Sequence, residues 1–119
     1  PEEHRLSAAH SALWSGGVFL YVPDGVEVEA PIQAIFLNDT SGVCFAPHVL
    51  IVAGSNSKIT YVDNCVSSGD DVKVLHNGVT EVFAGAGSKV QVASVHQLAA
   101  TTTDFTQRRA GVLADGGVE

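Results

Sequence analysis

Two cysteines and five histidines carry most of the chemistry that this sequence offers. Cys65 stands in Tyr61-Val62-Asp63-Asn64-Cys65-Val66, at the end of an alternating stretch and the entrance to a loop. A thiol does chemistry as its thiolate, which needs access and a favourable field; a thiol without them is a small residue packed at a corner. Cys44 lies between Val43 and Phe45 and is expected in the core. There is no C-x-x-C pair, so a cysteine-only zinc site is not signalled. His4, His10, His48, His76 and His96 show no H-x-H or H-E-x-x-H spacing, so no preformed metal centre is signalled either. Glu27 and Glu29 share one face of a strand and invite a general acid/base reading. Two same-face glutamates on a strand more often form a solvated face, and that reading is adopted. Asp70-Asp71 is likewise read as a solvated acidic loop. Gly85-Ala86-Gly87-Ser88-Lys89 lacks the G-x-x-x-x-G-K-[ST] spacing and precedes a strand, so it is not a phosphate loop. No residue is assigned as catalytic.

The elements that must position these residues follow from periodicity. Glu2 to Trp14 reads as a short helix with Leu6, Ala9 and Leu13 on one apolar face. Pro1, Glu2 and Glu3 suit its first turn, where acidic groups meet the positive end of the dipole. Ser15-Gly16-Gly17 ends it, and Trp14 is expected to anchor it. From Val18 onward the pattern is β. An apolar run (Val18 to Val22), a turn (Pro23-Asp24-Gly25) and an alternating stretch (Val26 to Glu29) are followed, past Pro31, by a strand from Gln33 to Leu37. The same events recur at Val49 to Val62, Val79 to Val92 and Arg109 to Glu119. The first apolar residues after each turn, Val26, Ile59, Val90 and Val118, are spaced by 33, 31 and 28 residues.

Four copies of apolar strand, Gly-rich turn and alternating strand, with no helix in the unit, define a β-solenoid. Its coils stack in parallel, with Val and Ile inward and Lys, Glu, Thr and Gln outward. Irregular loops, Asn38 to Ala46 and Ser67 to Asp71, bulge from one corner. Residues 1–17 are expected to form an N-terminal helix and cap, and 18–119 a β-helix core. Because the chain stops within an alternating strand, it is expected to be an excerpt whose exposed coil ends pair two copies. One repeat period also separates His48 from His76, which would place them on neighbouring coils near Cys44 or Cys65. That arrangement is the weak metal candidate the pattern allows.

Composition limits the partners. The 119 residues carry six Lys plus Arg against thirteen Asp plus Glu, a net charge of −7. Nucleic acid and anionic membranes, which require a basic surface, are excluded as expected partners. No secretory signal opens the sequence and no apolar run is long enough to span a bilayer, so the expected location is the cytoplasm.

Ala12-Leu13-Trp14-Ser15-Gly16-Gly17-Val18-Phe19-Leu20-Tyr21-Val22-Pro23-Asp24-Gly25, continuing through Val26 to Ala34, resembles the opening of the β-helical core of the SufB/SufD family. His48 to Val52, Tyr61-Val62-Asp63 and Arg108-Arg109-Ala110 extend the likeness to Glu119. Pro31 to Phe36 and His48 to Ala53 resemble the SufD branch. Cys65 resembles a SufB-type cysteine but lacks the Thr-Ala-Pro that follows it there. The resemblance implies a right-handed parallel β-helix and a non-enzymatic scaffold for iron–sulfur cluster assembly in the SUF system. It also implies pairing with a homologous SufB/SufD subunit, and contact with the ATPase SufC through parts outside these residues. The cluster is implied for the parent complex, with ligands beyond Glu119 and no cofactor on this segment. Under this resemblance Cys65 is a candidate sulfur acceptor. Two rivals stand beside it: a small cupin-like metal-binding barrel, disfavoured by the missing H-x-H spacing, and a carbohydrate-binding β-solenoid, disfavoured by a single Trp and no secretion signal.

Overall fold

A computed structural model describes residues 4–119. One helix, α1 (Arg5–Leu13), precedes nine strands: β1 (Gly16–Val22), β2 (Ile32–Asn38), β3 (Val43–Phe45), β4 (Pro47–Ala53), β5 (Lys58–Ser67), β6 (Val74–Ala84), β7 (Lys89–Gln97), β8 (Thr103–Val112) and β9 (Gly117–Val118). All the pairings are parallel and each joins a strand to its counterpart one coil on. One sheet stacks β1, β4, β6 and β8; the other stacks β2, β5, β7 and β9. This is a parallel β-solenoid, which removes the closed cupin-like barrel. Among the described residues no helix is long and apolar enough to cross a membrane. The proposed first turn at Pro1, Glu2 and Glu3 lies outside the described residues.

The repeat fixes the register. Gly16 pairs with Pro47, His48 with Val79 and Lys58 with Lys89, each a step of 31 residues, whereas Leu75 pairs with Thr103, a step of 28. The first step is therefore shorter than the 33 read from Val26 and Ile59. The residue level with Ile59 is Val28, because Glu27 bridges Lys58. Val26 to Glu29 forms only that bridge and no strand, since the bend at Glu29 to Pro31 takes up two extra residues before β2 pairs at Ile32 and Tyr61. Strands β3 and β4 keep one register against β6 and are separated only at Ala46, next to Pro47, which has no N–H to donate.

The turn that follows β1, β4, β6 and β8 has one left-handed residue in each coil: Gly25, Asn56, Gly87 and Asp115 have φ of 73°, 54°, 68° and 56°. Glycine and the short polar side chains of Asn and Asp tolerate this conformation best. The turns stack through Gly25 N–H to Ser55 O, Asn56 N–H to Ala86 O and Gly87 N–H to Ala114 O. Alternation then sends one side chain in two inward. Leu20, Ile51 and Val82 form one interior column, and Ile32, Tyr61 and Val92 another. Ile51, Ile59, Tyr61 and Val90 are almost wholly buried.

Helix α1 does not dock as its periodicity suggests. Its buried residues are Ser7 and His10, while Leu13 is 55% exposed. Polar contacts seat it: Ser7 Oγ donates to Gln107 Oε1 at 2.8 Å, and Asn77 Nδ2 donates to the Leu6 carbonyl at 3.0 Å. The expected apolar anchor, Trp14, is 53% exposed and lies against the His48 ring at 5.7 Å.

Candidate functional site

At one end of the interior, the apolar columns give way to a polar one. Strand β5 points Tyr61, Asp63 and Cys65 inward, because they follow Ile59 with period two. One coil on, Ser94 lies level with Asp63 and His96 with Cys65. Across the interior, β6 and β8 bring His76 level with Asp104. The resulting cluster is Asp63, Cys65, His76, His96 and Asp104.

Asp104 organises the two imidazoles. Its Oδ1 accepts from His76 Nδ1 at 2.7 Å and from Thr106 Oγ1 at 2.9 Å, and its Oδ2 accepts from His96 Nδ1 at 2.7 Å. A carboxylate only accepts, so both Nδ1 atoms carry protons, and in the neutral form of each ring Nε2 is the acceptor. Burial works to raise the Asp104 carboxyl, but the bonds from His76, His96 and Thr106 outweigh it and hold the group below the usual carboxylate range. His76 is 1% exposed and is covered by Phe45, whose ring lies 5.8 Å away. Its Nε2 lies 3.7 Å from Cys65 Sγ, within reach of a hydrogen bond to sulfur.

A thiol, an imidazole and a carboxylate in series have the form of an activated nucleophile. The electrostatics oppose that outcome. Burial first, then the charges of Asp63 and Asp104, push the Cys65 thiol up to about 12, against a smaller opposite pull from Arg108. Cys65 is 3% exposed. The expected sulfur acceptor therefore sits in this structure as a buried, protonated thiol. Burial first, then Asp63 and Cys65, also push the Tyr61 phenol up.

His48 belongs to a second network. His10 Nδ1 donates to the Asn77 carbonyl at 2.8 Å, His10 Nε2 faces His48 Nδ1 at 3.0 Å, and His48 Nε2 donates to Glu81 Oε2 at 3.0 Å. Both outer partners only accept, so the His10–His48 contact is satisfied when the pair shares one proton beyond those of two neutral rings; Glu81 supplies the balancing charge. This network ties α1 to β4 and β6. His48 and His76 are thus not brought together: His76 lies level with Phe45, and His48 with Val79. Of these two histidines, only His76 lies beside Cys65. Cys44 is exposed rather than buried, because the β3 alternation points it outward and Phe45 inward. Glu27 and Glu29 are exposed, as their solvated-face reading requires. Sequence reasoning missed Asp63, His96 and Asp104. The repeat held the signal, since Cys65 to His96 and His76 to Asp104 are each one coil apart.

The fold and this interior define a class: a parallel β-solenoid whose coils stack polar groups into one internal column. The domain family described as "SUF system FeS cluster assembly, SufBD core domain" matches residues 36–119, and the chain belongs to it. The iron-sulfur cluster assembly protein SufD of Bacillus subtilis is 39% identical over 108 residues, covering 91% of this chain and 25% of that protein. SufB of the same bacterium is 29% identical over 109 residues, covering 92% and 23%. An iron-sulfur cluster assembly SufBD family protein of Staphylococcus saprophyticus is 27% identical over 117 residues, covering 98% and 25%. The chain thus spans about a quarter of the length of these relatives. The higher identity to SufD favours the SufD-like branch. No solved structure gives a significant match.

Proposed function

We propose that this chain is a scaffold segment in iron–sulfur cluster assembly that performs no chemistry as an enzyme. It presents a rigid stacked surface, pairs with a homologous SufB/SufD-type subunit, and works with the ATPase SufC, which engages parts outside these residues. The observation that carries this reading is the SufBD core match, which runs from β2 through β9 of the solenoid. Parallel stacking suits the role, because each coil is held by its neighbours and the surface keeps its shape on binding. Pairing of two copies through coil edges belongs to the same proposal. Depleting the protein in its own host should lower the activity of iron–sulfur enzymes at unchanged polypeptide levels. Unchanged cluster content after depletion would sink the reading.

Within it, Cys65, which is 3% exposed, takes up sulfur only when the packing that buries it opens. Its thiolate then attacks the outer sulfur of a donor persulfide, the donor leaves as a thiolate, and His76 takes the Cys65 proton. Persulfide mapping after incubation with a cysteine desulfurase and cysteine tests this step; an unmodified Cys65 beside a labelled partner subunit would remove it.

A further inference from the structure

Asp63 is 5% exposed, and its Oδ1 has no hydrogen-bond partner. It stands between Ala34 on one coil and Ser94 on the next. No ion pair reaches it among the described residues; the ion pairs present join His48 to Glu81 and His76 and His96 to Asp104. A buried carboxylate oxygen with neither donor nor cation is expensive and calls for a specific occupant. Polar atoms converge on the same place. One ligand atom each from Asp63, Cys65 and His96 lie within 4.8 Å of one another. Behind them, the Asp104 carboxylate fixes the His96 ring at 2.7 Å. A carboxylate behind a histidine is the arrangement that sets the tautomer and orientation of a metal-binding imidazole.

We propose that Asp63, Cys65 and His96 bind one divalent transition-metal ion of the zinc or ferrous type, with Asp104 as the positioning residue behind His96. The donor set decides the class. One thiolate, one imidazole and one carboxylate suit a borderline cation; calcium and magnesium require oxygen ligands. Binding replaces the Cys65 thiol proton with the metal, the proton leaves to solvent, and no electron moves. The cation meets the orphan Asp63 oxygen and turns a buried thiol into a stable thiolate. Three protein ligands leave a fourth position, next to His76, for an exchanging ligand. Side-chain exposures of 23% at His96 and 29% at Asp104 give an approach from solvent. Metal and sulfur would compete for one thiolate, so this site goes beyond the scaffold reading and does not depend on it.

The test strips the purified protein with a chelator and titrates it with Co²⁺ as the probe, then with Zn²⁺ in competition. One Co²⁺ per chain with thiolate-to-cobalt charge-transfer absorption is expected, and Zn²⁺ should bleach it. Cys65→Ser should abolish the band, and Asp63→Asn and His96→Gln should each weaken binding at least tenfold. Asp104→Asn should weaken it about 10- to 100-fold, the range seen for groups that orient a ligand. Cys44→Ser should change nothing. No thiolate–cobalt band in the native protein, a band that survives Cys65→Ser, or one lost in Cys44→Ser would overturn the proposal. Circular dichroism checks each variant. If Cys65→Ser does not fold, His96→Gln, which alters a partly exposed side chain, decides the matter by whether affinity falls. The outcome is separate from any result on SUF partners.

Discussion

The reactivity of Cys65 follows quantitatively from its surroundings. With its thiol pushed up to about 12, only about one molecule in ten thousand carries the thiolate at pH 8. A free cysteine near 8.5 is about one-quarter ionised at that pH. The ratio is roughly two thousand. A more basic thiolate is also a better nucleophile, and a Brønsted coefficient of about 0.4–0.5 returns roughly forty-fold. The net expectation is alkylation about fifty-fold slower than for a free thiol, before burial restricts the reagent. Exposed Cys44 is the internal reference. Metal-free native protein would be treated with iodoacetamide at pH 8, and each cysteine followed by peptide mass spectrometry. Cys44 should label first, Cys65 at least fifty-fold more slowly, and both at similar rates in denaturant. Equal native rates would show that Cys65 is neither buried nor protonated as described, and the electrostatic reasoning would fail.

Other consequences can be checked by melting experiments. Ile51 is 0% exposed at the centre of the interior, so Ile51→Ala should cost about 2–5 kcal/mol of stability in denaturant unfolding. Glu27→Ala, on an exposed bridge residue, should stay within about 0.5 kcal/mol; a larger loss would mean that face is misassigned. Asp104 is held below its usual range in the folded state, so its contribution is complete above about pH 4 and is lost as pH falls further. Asp104→Asn should therefore flatten the acid limb of a Tm-versus-pH curve, and an unchanged limb would refute this. The raised Cys65 thiol acts at the other end. The unfolded chain ionises from about pH 8.5 while the folded one does not, so stability should fall above that pH, and less so in Cys65→Ser.

Much of the solenoid was legible because its rule is local. Period-two alternation, a turn residue tolerant of left-handed backbone and a repeat near 31 residues mark Val49 to Val62 and Val79 to Val92 without any long-range knowledge. The first coil was misregistered because Val26, the first apolar residue after its turn, stands level with Ser57, and only the bridge from Glu27 to Lys58 reveals that Val28 occupies the Ile59 level. The docking face of α1 was not legible. Leu6, Ala9 and Leu13 make a good apolar stripe, yet the helix is held by Ser7 and His10 bonding to Gln107 and Asn77, far along the chain. Cys44 was misplaced because its apolar neighbours suggested burial, whereas alternation puts it outside when Phe45 is inside. The interior cluster lay between these cases. Its members are ordinary polar residues until the repeat is applied to them, and then Cys65 falls on His96 and His76 on Asp104.

The central claim, that this solenoid is a scaffold segment for iron–sulfur cluster assembly, is most directly tested by affinity purification of the protein at native expression level, with bound chains identified by mass spectrometry. The account predicts a homologous SufB/SufD-type subunit and the SufC ATPase in near-stoichiometric yield. Recovery of the protein alone, under conditions that preserve a control SUF complex, would contradict it and leave the family fold without the assembly role.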